Sequence, residues 1–174
     1  MPSWARRRRD QRSISGSNSG SSQGGWVAPL AATRSNVDFV QVAYGLAESP
    51  AAEDREQVMQ ELRSAGYGPD VLGKAREVTD ATAAMMAEPS WAAAKALAAV
   101  RRKYRDAPWW PAMRGEFTGK LLQHPPWLSR LVLPWMDRGT PWNHDAMAVL
   151  RKVEVPQLWM IAAEDRDAPP AETL

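Results

Sequence analysis

Residues 20–26 read GSSQGGW, and the interpretation of this stretch decides the fold expected for the whole chain. It ends a longer run, SISGSNSGSSQGG (13–25), whose serine and glycine content is typical of a flexible linker. Gly20, Ser22 and Gly24 also satisfy the pattern G-x-S-x-G. In that pattern a serine sits in a tight strand-to-helix turn, where only small neighbours let the backbone pass closely. The stretch is therefore either a linker or the site of a nucleophilic serine.

Composition limits the classes of protein to which the chain can belong. With 174 residues, 44% of them hydrophobic, it is long enough for one globular domain with a core. The absence of cysteine excludes disulfides, thiolate metal sites and a cysteine nucleophile. No apolar run is long enough to cross a bilayer, and no signal peptide is visible. We therefore expect, by default, a cytoplasmic protein without a membrane span.

The N-terminal segment carries a strong local charge. Arg6 to Arg9 are four consecutive arginines, although the formal net charge of the chain is only +2. A nucleic-acid-binding arm would interleave its basic residues with aromatic ones, and Trp4 is the single aromatic residue near this run. We expect residues 1–19 to be a solvated, disordered tail, and we expect no nucleic-acid partner.

Two short apolar segments predict strands. Residues 37–45, VDFVQVAYG, are rich in valine and aromatic residues, and residues 157–163, QLWMIAA, form a second such run. A helix that begins at Gln23 precedes the first segment, although Pro29 is unfavourable inside it. The acidic turn EDRD (164–167) follows the second segment, where open α/β sheets keep their ligands.

Between the two predicted strands the periodicity is helical. Residues 53–65, 69–88 and 90–105 repeat alanine, leucine and methionine at a spacing near 3.6, with charged residues opposite. Residues 108–150 are rich in tryptophan and proline, which predicts short helices separated by turns. The tryptophans of this half either line an apolar pocket or pack the helices onto their neighbours: Trp109, Trp110, Trp127, Trp135 and Trp142.

The order of these segments is similar to that of the α/β-hydrolase-fold serine hydrolases, in the branch of dienelactone-hydrolase-like esterases, serine aminopeptidases and prolyl-oligopeptidase-like enzymes. SSQGGWVAPLAA (21–32) resembles their nucleophile elbow and the helix that follows it. VPQLWMIAAEDRDAPPAETL (155–174) resembles their strand and acid turn, P-x-L-W-x-x-G-x-x-D-x-x-x-P. Ala162 stands where glycine is usual, and five positions match: Pro156, Leu158, Trp159, Asp165 and Pro169.

The resemblance implies an α/β fold class: a partial α/β-hydrolase fold with few parallel strands and a large helical cap insertion. Residues 20–49 and 151–174 would be the core fragments, and residues 50–150 the cap. The implied reaction is hydrolysis of an ester or amide bond through an acyl-enzyme, without a cofactor. The substrate of an intact relative would be a small-molecule ester or a peptide.

The resemblance also assigns roles to individual residues. Ser22 would be the nucleophile and Asp165 the acid that orients a histidine, with Asp167 as the alternative acid. The backbone N–H of Gln23 would donate to the oxyanion. Gly20 and Gly24 would be the elbow glycines.

Three departures from the family pattern bear on activity. RSISGSNS (12–19) holds a single apolar residue where a strand should precede the elbow, and only 19 residues precede the motif. No histidine follows Asp165. His124 and His144 come earlier, where a loop residue and a turn residue are expected, and they lack a third metal ligand at a recognisable spacing. We therefore expect an incomplete chain that is weakly active or inactive as a hydrolase.

The alternative is a non-enzymatic, helical protein-binding module. In this interpretation the Ser/Gly run is a flexible linker, and residues 50–150 bind a partner through their Trp- and Pro-rich half.

Overall fold

The protein is seen in a computed structural model, which describes residues 24–43, 48–136 and 141–161. Seven α-helices and two β-strands lie within these ranges. In chain order they are α1 Gly24–Ala32, β1 Val40–Ala43, α2 Pro50–Ser64, α3 Pro69–Ala87, α4 Trp91–Tyr104, α5 Glu116–Gln123, α6 Pro126–Val132, α7 Ala146–Leu150 and β2 Gln157–Met160. Two single 3-10 turns, Trp110–Ala112 and Leu133–Trp135, follow α4 and α6.

The long helices begin and end at residues suited to those positions. The hydroxyl of Ser49 accepts a hydrogen bond from the N–H of Ala52 (3.2 Å) at the start of α2, and Ser90 does the same for Ala93 (3.1 Å) in α4. Gly66, just after α2, has a φ of 85°, which glycine adopts without the strain that a side chain would bring. These local signals explain why the helices predicted over 53–65, 69–88 and 90–105 are confirmed as α2, α3 and α4, within a few residues.

The main core lies between helices. Its fully buried side chains include Met59 and Leu62 of α2, Met85 of α3 and Leu97 of α4. These side chains repeat at helical spacing, so that each helix turns one apolar face inward. No residue of α1, β1 or β2 belongs to this core cluster.

The two strands pack with α1 outside the main core, and α1 also contacts α7. β1 and β2 pair in parallel, with Val40 opposite Gln157 and Val42 opposite Trp159. Val40 and Val42 are buried, and α1 packs against β1. On β2, Leu158 and Met160 are exposed. The strands predicted over 37–45 and 157–163 therefore exist, but each is only four residues long in the described part.

The α/β fold class predicted from the sequence is wrong. The α-helices and the two 3-10 turns together hold 64% of the described residues, and the two short parallel strands are the only strands among them. An α/β-hydrolase fold, even a partial one, packs its helices on a parallel sheet that carries the core. Here helices α2–α5 pack on one another, and the sheet contributes nothing to the main core. The resemblance identified in two short segments does not extend to the fold.

Candidate functional site

Most of the residues predicted for a hydrolase site lie outside the described ranges. Gly20, Ser22, Gln23 and Asp165 belong to this group, as does the alternative acid Asp167. Gly24 is described, and it is the buried first residue of α1. The roles assigned to these residues therefore stay predictions.

Both histidines occupy connecting segments. His124 is exposed at the end of α5, and its carbonyl oxygen accepts a hydrogen bond from Nη1 of Arg101 (2.5 Å). His144 is half-buried in a turn, and its N–H donates to the carbonyl of Pro141 (2.9 Å). The next residue, Asp145, caps α7 by accepting from the N–H of Ala148 (2.8 Å). Over the ranges that the structure covers, no group of three or more histidine, aspartate or glutamate side chains is arranged to hold a metal ion.

The tryptophans of the Trp- and Pro-rich half divide into two groups. Trp109 and Trp142 are buried in the core, where Trp109 lies 5.3 Å from the ring of Tyr104 and Trp142 packs edge-on against Phe117 at 4.6 Å. This agrees with packing between helices. In contrast, the side chain of Trp127 is 55% exposed.

Trp127 belongs to a continuous exposed segment, which we call the α6 surface and define as Trp127, Leu131, Val132, Trp135 and Met136. All five side chains are exposed, and Trp135 reaches 88% exposure. The opposite side of the segment is anchored, because Ser129 and Leu133 are buried. The outer side of the segment is apolar, which is unusual for a helix that faces water.

Helix α4 extends this surface. The guanidinium carbon of Arg130 lies 5.7 Å from the ring centroid of Trp91, at the start of α4. At the other end of α4, Arg101 reaches the carbonyl of His124, just before α6. The two helices therefore run antiparallel, and the exposed Trp91 lies beside the end of α6.

Charge is distributed unevenly along the helical part of the chain. Residues 50–88 hold four basic and eight acidic residues, a formal charge of −4, whereas residues 90–136 hold eight basic and two acidic residues, a formal charge of +6. Lys95, Arg102 and Arg130 make no ion pair with any residue that the structure describes. The helices that carry the α6 surface thus present unpaired positive charge.

A groove of about 540 Å³ lies along α5. Its walls include Trp110, Met113 and Leu122, together with the charged side chains of Arg114 and Lys120. Lys120 is already paired with a carboxylate on its own helix, at 3.5 Å. None of the buried polar side chains without a hydrogen-bond partner lines this groove. We therefore assign it no chemistry.

Asp54 is the most buried charged residue that the structure describes, with 4% of its side chain exposed. Its Oδ1 accepts from the N–H of Phe117 (2.8 Å), and its Oδ2 accepts from the hydroxyl of Thr118 (2.6 Å). Burial raises the pKa of Asp54 above its ordinary value, and the hydrogen bonds from Thr118 and Phe117 oppose that rise. These hydrogen bonds hold the start of α5 against α2, so Asp54 has a structural role.

Trp91, Leu131, Arg130 and Met136 are not among the residues predicted from the sequence. The available signal was the short segment PWLSRLV (126–132), in which apolar residues occupy both faces of a single helical repeat. Such a helix either is buried on all sides or exposes an apolar face.

The chain matches no protein-family model, no curated protein and no solved structure. Within the described ranges, none of the helices has the length and apolar character needed to cross a membrane. The interpretation of the site rests on its own geometry.

Proposed function

We propose that this protein is a non-enzymatic, helical binding module that holds a partner protein on the α6 surface. The observation that carries the proposal is the concentration of exposed apolar side chains. Among the large apolar side chains that are exposed in the described ranges, five fall within residues 127–136. Large contiguous apolar patches are rare on monomeric proteins, and they mark sites of protein, membrane or ligand binding as well as of aggregation.

The residue types on this surface support the same function. Trp127 and Trp135 offer large, rigid side chains, and Arg130 lies between α6 and α4. Tryptophan and arginine are the types that most often dominate the binding energy of protein interfaces. The buried Leu133 and Ser129 hold the segment in place, so that a partner would meet a surface that is already formed.

The serine hydrolase function predicted from residues 20–26 remains a separate prediction, with Ser22 as its nucleophile. It rests on a resemblance in two short segments that also implied an α/β fold, and the structure contradicts that fold. No described feature favours it over the binding module, since both histidines lie in connecting segments with structural contacts. We therefore carry the binding module forward.

The test is selection of a random 16-residue peptide library on the immobilised chain. We expect peptides that bind the wild-type chain and lose at least about tenfold in affinity on the variant Trp127→Ala/Trp135→Ala, as for side chains that dominate an interface. The matched control is Leu158→Ala/Met160→Ala, which removes the exposed apolar pair of β2. Far-ultraviolet circular dichroism confirms that both variants stay helical.

Two results would contradict the proposal. Selected peptides that bind the tryptophan variant as tightly as the wild type would show that the α6 surface is not the binding site. Loss of binding in the Leu158→Ala/Met160→Ala control alone would place the site on the sheet.

A further inference from the structure

We infer that the partner of the α6 surface is an acidic, amphipathic helix that lies along α4 and α6. This inference rests on the proposed function, because it names the chemistry of the ligand that the same surface would take. A helix that presents one apolar face to a surface formed by two helices is a common mode of peptide recognition.

The exposed side of α4 has short side chains against which such a helix could pack. Ala92, Ala96 and Ala99 are exposed and follow one another at helical spacing. These three residues, which we call the alanine face of α4, carry only methyl side chains, so a partner backbone could approach closely. Trp91 stands at one end of the face, and Arg102 lies eleven residues further on. At a rise of about 1.5 Å per residue the two are about 16 Å apart, which is the length of three helical turns.

The apolar residues of the partner would meet α6. Trp127 and Leu131 are four residues apart on one side of α6, and both are exposed. Because α6 packs antiparallel beside α4, this exposed pair lies on the helix next to the alanine face of α4. A partner helix with apolar residues at positions i, i+3, i+4 and i+7 would cover both.

Charge complementarity selects an acidic partner. Lys95 and Arg102 lie seven residues apart, two turns along the exposed side of α4. Arg130 of α6 lies against Trp91, which is one turn before Lys95. None of the three cations is paired with an acidic residue of the described chain. Residues 50–88, with a formal charge of −4, would repel the same partner from the other half of the helical block.

An anionic lipid surface would also match exposed tryptophan and unpaired positive charge. The observations favour a helix, because two of the three cations, Lys95 and Arg102, follow one row of α4. The alanine face beside them carries only short side chains, which suits a rod-shaped partner better than a flat surface.

The test uses three 18-residue peptides, each stapled into a helix and labelled with fluorescein. All carry leucine at the i, i+3, i+4 and i+7 positions, and the remaining positions are mainly glutamate, glutamine or lysine. Fluorescence anisotropy at low salt gives their affinities for the full chain. We expect the glutamate peptide to bind at least about tenfold more tightly than the glutamine peptide, and the lysine peptide to bind most weakly.

Charge reversal then locates the cations. The variant Lys95→Glu/Arg102→Glu/Arg130→Glu is expected to lose at least about tenfold in affinity for the glutamate peptide and to prefer the lysine peptide. The matched control is Arg34→Glu/Arg151→Glu/Lys152→Glu, which makes the same change in net charge at exposed positions on other elements. This control should keep the order of affinities of the wild-type chain.

Three outcomes would overturn the inference. The first is equal affinity for the three peptides, and the second is an equal loss in the two charge variants. The third is sedimentation with vesicles of phosphatidylcholine and 30 mol% phosphatidylglycerol by a chain that binds no peptide.

The proposed function and the inference fail in different ways. If Trp127→Ala/Trp135→Ala weakens all three peptides alike while charge reversal has no effect, the module stands and the acidic partner is wrong. If the tryptophan variant changes neither these affinities nor the library selection, the module itself is wrong.

Discussion

Replacing Asp54 tests the contact that joins α5 to α2. In Asp54→Ala the N–H groups of the half-buried Phe117 and the fully buried Thr118 lose their acceptor. The hydroxyl of Thr118 keeps a partner, because it lies 2.7 Å from the hydroxyl of Thr82. Two N–H groups left without an acceptor, one in a buried and one in a half-buried residue, at about 1–2 kcal/mol each give an expected loss of about 2–4 kcal/mol in the free energy of unfolding.

The variant Asp54→Asn separates hydrogen bonding from charge. Its amide oxygen can accept from the two N–H groups, and its NH₂ group can donate to Thr118. The Thr118 hydroxyl would then donate to Thr82, whose own hydroxyl donates to the carbonyl of Thr79 (3.0 Å). Every group in this chain of hydrogen bonds is satisfied except the second N–H of the amide, so we expect a loss of about 1 kcal/mol, smaller than that of Asp54→Ala.

The pH dependence has a defined sign. Burial raises the pKa of Asp54 in the folded chain above the ordinary value of 3.8, so the folded state binds more protons than the unfolded state between the two values. The contribution of Asp54 to stability is therefore complete below pH 3.8 and falls as the pH rises through the folded pKa. In Asp54→Asn this fall is absent, and the stability of the wild type relative to this variant should decrease over that interval.

Urea unfolding followed by circular dichroism, between pH 3.5 and 8, measures both effects with the slope m as a check on two-state behaviour. An Asp54→Ala loss below about 1 kcal/mol, equal to that of Asp54→Asn, would refute the hydrogen-bond argument. If the wild type instead became more stable relative to Asp54→Asn as the pH rises, the assigned direction of the pKa shift would be refuted.

Three further predictions concern single positions. A Cβ at Gly115 would lie 2.6 Å from Cγ2 of Val58, so Gly115→Ala should lower the free energy of unfolding by about 1–3 kcal/mol in urea unfolding, and an unchanged midpoint would contradict the packing. Ser90→Ala removes the cap of α4 and should cost about 1 kcal/mol in the same assay, whereas a cost near zero would mean that the cap contributes nothing. A fluorophosphonate probe should label the wild-type chain and Ser22→Ala equally weakly on a gel, and strong labelling that depends on Ser22 would restore the hydrolase prediction.

Sequence reasoning predicted the helices well because their signals are local. The serine caps, the glycine after α2 and the spacing of apolar residues all act within a few positions of the element that they define. The two strands were also located, although longer than the structure has them. Elements that depend on neighbours in sequence could therefore be predicted without the fold.

The fold class depends on what the elements pack against, which local patterns do not contain. Two apolar segments predict strands, but they do not say whether a sheet or a helical core will dominate. The same limit explains Asp54, whose partners Phe117 and Thr118 are 63 and 64 residues away along the chain. The sequence around Asp54 is that expected for an ordinary exposed position of a helix.

The candidate site was harder to predict for a related reason. Tryptophan, leucine and methionine in a helix are interpreted as core residues, and Trp109 and Trp142 are indeed buried. Nothing in the local pattern distinguishes them from Trp127 and Trp135, which the packing of Ser129 and Leu133 leaves exposed. Only the position of α6 against α4 shows the difference.

The most direct test of the binding module is hydrogen–deuterium exchange of the full chain, with and without a peptide from the library selection. The account predicts slower exchange on binding in α6, in the turn Leu133–Trp135 and in α4, with α1 and the sheet unchanged. Slower exchange confined to residues 20–43 and to β2, with no change in α6, would contradict it.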